Sequence, residues 1–280
     1  MKNQAPAAKK EETTSGGSSY FAAIAIPLIY VISLLIWMFV LGNPDNFEGG
    51  DPNNHPLPGN WLGVIYKGGV VVSFLIACLL ITIVFGIERF LTINKAKGKG
   101  GIASFVKRVR VLLSRGEVDA AIAECDKQRG SVANVIRAGL VKYREMGANR
   151  EMDTEHKVAA IQKDIEETTQ LELPMLEKNL VIIATMASVA TLIGLLGTVT
   201  GMIKAFAAIA TAGAPDAVGL ANGISEALIN TALGVGTSAL AIIFYNFFTT
   251  KIDELTYGID EAGYSITQNF ATQQTPNRVA

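Results

Sequence analysis

The stretch LVIIATMASVATLIGLLGTVTGMIKAFAAIATAGAPDAVGLANGISEALINTALGVGTSALAIIFYNFFTT, residues 180–250, decides the fold. Two of its segments, Leu180 to Ala210 and Leu220 to Phe248, each exceed the roughly 20 apolar residues that an α-helix needs to cross a bilayer core. The Gly-Ala-Pro-Asp turn between them, Gly213 to Asp216, is too short for anything but an antiparallel pair. Its apex falls near Ala214 and Pro215. Both limbs rise equally per residue, so residues equidistant from the apex share a depth. That reflection predicts two layers, Thr198 with Thr231 and, nearer the turn, Lys204 with Glu226. A charge inside a spanning helix costs about 2.5 to 3.5 kcal/mol on insertion scales, so the second layer reads as a charge pair. The plainer alternative is that both side chains snorkel to water from the helix ends. Each Thr hydroxyl also has an alternative partner in its own helix backbone.

Small residues line one side of each limb: Gly194, Gly197, Thr198, Gly201 and Ala205 on the first, Ala227, Thr231, Gly234, Ser238 and Ala241 on the second. Such stripes let helix backbones approach closely. A polar, small-residue face carrying Glu226, Asn230 and Thr237, with Gly201 and Gly234, also suits a narrow channel wall or a socket for another helix.

The runs GLLGTVTGMIKAF at 194–206 and GISEALINTALG at 223–234, followed by IFYNFF, resemble the signature hairpin of the ExbB/TolQ/MotA family of proton-channel stator proteins, nearest to ExbB. The resemblance implies an oligomeric ring, a homopentamer whose last two helices line a central pore. It further implies a dimeric, single-span partner similar to ExbD or TolR inside that pore, and a TonB-like protein beyond it. Thr198 and Thr231 match the family's pore-lining threonines, and Glu226 its glutamate. Lys204 is outside that correspondence, and its pairing with Glu226 rests on the reflection alone. Thr191 stands where the family often has proline.

Outward from the hairpin, half of the 280 residues are apolar and the net charge is −1, which argues against a nucleic-acid footprint. Residues 1–19 read as a flexible tail. Residues 20–41 form an additional membrane helix, read as retained because the run exceeds a signal peptide's apolar core and lacks a following A-x-A site. Residues 42–60, with Asp45, Glu48 and Asp51 and no Lys or Arg, read as a periplasmic loop, and 61–92 as a second span. Lys95, Lys97, Lys99, Lys107, Arg108 and Arg110 follow, which marks the cytoplasmic side. Both termini are then cytoplasmic, in a bacterial inner membrane.

Residues 93–177 show helical periodicity at Ile102, Phe105, Val106, Val109, Leu112 and Leu113 and again from Val132 to Tyr143, which predicts a helical cytoplasmic domain. Pro174 is expected to bend the chain before the hairpin, 178–250. In 251–280, Ile252, Leu255, Ile259, Ile266 and Phe270 form a stripe that continues the last span. The expected fold is therefore an all-α integral membrane protein with four transmembrane helices.

Phosphate-loop, HExxH, CxxC and nucleophile-elbow patterns are absent, so neither an enzyme nor a cofactor or metal is expected. Cys78 and Cys125 differ too much in setting to form a disulfide, and His55 and His156 read as surface residues. The function that follows from the resemblance is an ExbB-like, proton-driven motor energising TonB-dependent transport. The alternatives are a TolQ-like or motility stator, or a passive scaffold that only assembles helices.

Overall fold

The computed structural model describes residues 17–211 and 216–274. The tail over 1–16, the apex at Ala214 and Pro215 and the terminus from 275 lie outside the described residues. Among the described residues the regular elements are helical: α1 (Gly17–Leu35, running on as a π turn over Ile36–Leu41), α2 (Trp61–Tyr66), α3 (Val71–Lys97), α4 (Ile102–Ser114), α5 (Val118–Gln128), α6 (Ser131–Ala148), α7 (Thr154–Glu177), α8 (Leu180–Thr211) and α9 (Ala217–Gln274). Four helical stretches are long and apolar enough to cross a membrane, within residues 21–41, 71–114, 154–210 and 217–274. Gly17 to Ser19, read from the sequence as tail, are already in α1.

The chain divides into two units, one made of residues 1–81 and 189–237, the other of 82–188 and 238–280. In the first unit, the run read as one span over 61–92 is broken. The short α2 ends at Tyr66, and Gly69, at φ +75°, turns the chain into α3. A hydropathy average passes over this break because its flanks are apolar. The loop over 42–60 is tightly held. The buried Asn46 amide donates to the carbonyls of Val40 and Leu41, both at 2.9 Å, and its oxygen accepts from Asn60. Trp37 stacks on Tyr66 at 5.0 Å between centroids, with Phe47 edge-on to Tyr66. A Cβ at Gly42 would lie 2.7 Å from the Tyr66 ring, so glycine alone lets the ring pass.

In the second unit, α4 to α7 pack with the latter part of α9. The sequence stripe Ile252, Leu255, Ile259, Ile266 and Phe270 is buried throughout, against partners that include Tyr143, whose ring meets Phe270 edge-on at 4.8 Å. Tyr143 also donates to Asn269 or Gln273, at 2.8 and 2.9 Å. Cys78 and Cys125 are both buried free thiols. Burial, reinforced by the neighbouring Asp126, pushes the Cys125 thiol up to about 12, so it is neutral at ordinary pH.

Pro174 lies inside α7, and the chain breaks just beyond it, at Lys178 and Asn179, where Asn179 takes φ +66°. The break leaves the last carbonyls of α7 without helical partners. Arg89, only 2% exposed, fills that role: its guanidinium donates to the carbonyls of Met175 at 3.3 Å and Leu176 at 3.1 Å. Its charge is balanced by Glu88, which accepts from Arg89 Nε at 2.6 Å, from Asn179 at 3.2 Å and from Thr92 at 3.1 Å. Removing one side of such a cluster strands a buried charge and two carbonyls, a cost of about 3–5 kcal/mol. Arg89→Ala is therefore expected to melt well below the parent chain in detergent, followed by circular dichroism. An unchanged melting temperature would show that water replaces the guanidinium freely.

Candidate functional site

The site is the part of the hairpin in the first unit, where α8 and α9 meet backbone to backbone. A Cβ on Gly197 would lie 2.4 Å from Asn230 Cβ, one on Gly201 2.7 Å from Gly223 O, and one on Gly234 2.6 Å from Ala190 O. Real Cβ atoms do not approach so closely, so the contact exists because these positions carry hydrogen. Packing of this kind supplies association energy in a bilayer, where the hydrophobic effect between helices is missing.

That contact sets the register. The hydroxyls of Thr198 and Thr231 hydrogen-bond to each other across the hairpin. Thr198 Oγ1 also reaches Gly194 O at 3.2 Å, and Thr231 Oγ1 reaches Ala227 O at 3.1 Å. One hydroxyl proton can bridge the pair while the other goes to its own helix. The pair then keeps free acceptor lone pairs, able to receive a proton-bearing group. Nearer the turn, Lys204 Nζ donates to Glu226 Oε1 at 2.6 Å. The pair is lopsided: the Glu226 side chain is 10% exposed and that of Lys204 60%. Glu226 is thus the group that depends on its partner.

Asn230 lies one turn from Glu226 on α9 and is fully buried. Its amide donates to Gly68 O at 2.9 Å, tying α9 to the break between α2 and α3. Its carbonyl oxygen is buried without a protein partner among the described residues. Gly69 lies beside the ion pair, since a Cβ there would sit 3.0 Å from Glu226 Oε1 and 3.9 Å from Lys204 Nζ. Gly68 and Gly69 are site residues that the sequence reading missed. The signal was the Gly-Gly pair inside an otherwise apolar run.

The structure brings Thr198, Thr231, Glu226 and Lys204 together in two layers. Gly201, Asn230, Gly234 and Thr237, expected from the sequence to face a pore, lie on the same two helices. All four are buried within this chain, the glycines in the α8–α9 contact and Asn230 on the Gly68 carbonyl. A small or polar face serves a pore and a helix contact equally well in sequence, and Gly201 and Gly234 stand in the α8–α9 contact. Outward on the same helices stand large exposed apolar residues, among them Leu192, Leu195, Val199, Ile203, Leu228 and Val235.

Residues 128–261 match the model of the MotA/TolQ/ExbB proton channel family. A putative biopolymer transport protein ExbB-like 3 from Synechocystis is 36% identical over 86 residues, 30% of this chain and 41% of that protein. A Tol-Pal system protein TolQ from Pseudomonas aeruginosa is 30% identical over 124 residues, 44% of this chain and 54% of that protein. A putative ExbB homolog from Methanothermobacter thermautotrophicus is 24% identical over 200 residues, 70% of this chain and 66% of that protein. The matches thus span between 41% and 66% of these relatives' own length. They bear out the family resemblance carried by the hairpin motifs.

The asymmetry of the ion pair makes a directional prediction. Lys204→Met leaves a buried carboxylate unpaired and is expected to cost about 1.5–3 kcal/mol. Glu226→Gln leaves a lysine already facing outward and is expected to cost less. The double variant should recover part of the Lys204→Met loss. Thermal melts of the four proteins in one detergent close the cycle, and additive losses would mean that the two side chains do not interact.

Proposed function

We propose, with that family resemblance over the hairpin as the premise, that this chain is the ring-forming subunit of an ion-driven membrane motor. In this reading the chain assembles as a homopentamer in the bacterial inner membrane, both termini and residues 93–177 lie in the cytoplasm, and α8 and α9 face the centre. The single spans of an ExbD- or TolR-like dimer stand inside the ring and carry a protonatable carboxylate. A charge that crosses the membrane field yields about 2.3 kcal/mol per 100 mV, and each protonation step changes how partner and ring fit.

The observation that carries this reading is the Thr198–Thr231 pair, two hydroxyls on neighbouring helices at one level with acceptor capacity to spare. Glu226, held by Lys204 on the turn side of that level, would tune the outer end of the path. The large apolar residues left exposed on both helices support burial against further helices or lipid.

The system served is read as ExbB-like, energising TonB-dependent import across an outer membrane. A TolQ-like role in envelope maintenance is the second reading, favoured by TolQ relatives that are 30% and 40% identical over the matched region. Deleting the gene separates them: loss of energised import supports the first, loss of envelope integrity the second.

The motor itself is tested by Thr231→Val, which removes the hydroxyl and keeps the shape. The variant complex is expected to assemble with its partner as the parent does. Its proton uptake in proteoliposomes should fall by roughly tenfold, the equivalent of one lost hydrogen bond in the path. Parent-level uptake would favour a passive scaffold.

A further inference from the structure

We propose that the second unit carries a binding site for an anionic phospholipid, in the cleft between the end of α3 and the middle of α9. This site is separate from the ion path and does not depend on the motor reading.

The cleft has a volume of about 140 Å³. Its floor is apolar and buried, formed by Ile93, Phe248 and Leu255. Its rim is cationic: Lys97 from α3 and Lys251 from α9 both line it, with Asn94 beside them as a neutral donor. Lys251 is shared with Glu254, which it meets at 2.8 Å through both carboxylate oxygens. No acidic partner of the Lys97 ammonium is found among the described residues. The lining therefore keeps a net positive charge, two lysines against one glutamate.

The walls show which anion fits. Phe90 and Phe247 line the cleft and are about half exposed, at 51% and 47%. Each continues an exposed apolar stripe along its own helix, Ile87 before Phe90 on α3 and Ile243 before Phe247 on α9. The spacing Ile243, Phe247, Lys251 is a strict i, i+4, i+8 row, so the apolar surface leads directly to the cation. Ile87, Phe90, Asn94 and Lys97 follow the same face of α3.

Apolar surface that leads to lysines on both helices matches a lipid with acyl chains along the phenylalanines and a phosphodiester at the lysines. A soluble phosphate would leave the aromatic walls unused. A zwitterionic headgroup would bring its own cation towards Lys97. The occupant is therefore an anionic phospholipid of the leaflet on the basic side of the membrane.

The test uses the purified full-length protein, stripped of lipid by detergent washing and titrated with short-chain phosphatidylglycerol, phosphatidylcholine or inorganic phosphate. Bound lipid is counted by native mass spectrometry. Phosphatidylglycerol adducts are expected on the parent, on the order of tenfold weaker on Lys97→Gln/Lys251→Gln, and restored on Lys97→Arg/Lys251→Arg. Lys107→Gln, outside the cleft, should bind as the parent does. If the glutamine pair does not purify folded, Phe247→Ala reads the acyl-chain contact instead and should also weaken binding. Equal binding of phosphatidylcholine, parent-level adducts on the glutamine pair or on Phe247→Ala, or displacement of the lipid by millimolar phosphate alone would each overturn the proposal.

Discussion

The structure of the hairpin depends on how closely two helix backbones approach. Gly194, Gly197 and Gly201 on one limb and Gly223 and Gly234 on the other leave no room for a side chain, with Cβ positions that would fall 2.4 to 2.9 Å from atoms of the facing helix. Helices in hydrocarbon gain nothing from burying apolar surface against each other, so dispersion at short range must hold them. Once the backbones touch, sliding by a single residue would drive a glycine position onto a bulky one. The register is therefore stiff, and every polar contact of the hairpin inherits it.

Two layers follow from that register, and they differ in what they ask of the chain. The threonine pair is neutral and has backbone acceptors nearby, so it is tolerated at low cost and retains chemical capacity. The Lys204–Glu226 layer puts a carboxylate almost out of contact with solvent and compensates it from one side by an ammonium that is mostly exposed. Asn230 works between them in another way, donating to the open carbonyl at Gly68. A break in the second long apolar run is thus satisfied by a side chain from the last helix. The second unit meets the same constraint at the α7–α8 break, where Arg89 supplies the donors that the helix itself lacks.

Much of this was legible in the residues. Counting outward from Ala214 and Pro215 placed Thr198 against Thr231 and Lys204 against Glu226, because both limbs are regular helices of equal rise. The stripe from Ile252 to Phe270 could be read because a period near 3.6 marks a buried face wherever the partner lies. What escaped was set by long-range contact or by local breaks. Gly68 and Gly69 lie in a run whose average hydropathy hides a two-residue turn. The order of the 42–60 loop arises from Trp37, Phe47 and Tyr66 meeting across a chain reversal. Gly201, Asn230, Gly234 and Thr237 form a face that sequence cannot assign to pore or packing, since both need small or polar residues.

The central claim, that this hairpin works as the wall of a ring around a partner's spans, is tested most directly by native mass spectrometry of the complex extracted from its own membrane in gentle detergent. The account predicts a homopentamer that retains a dimer of a single-span protein with an aspartate in its span. A homomer without such a partner, reproduced across several detergents, would contradict it.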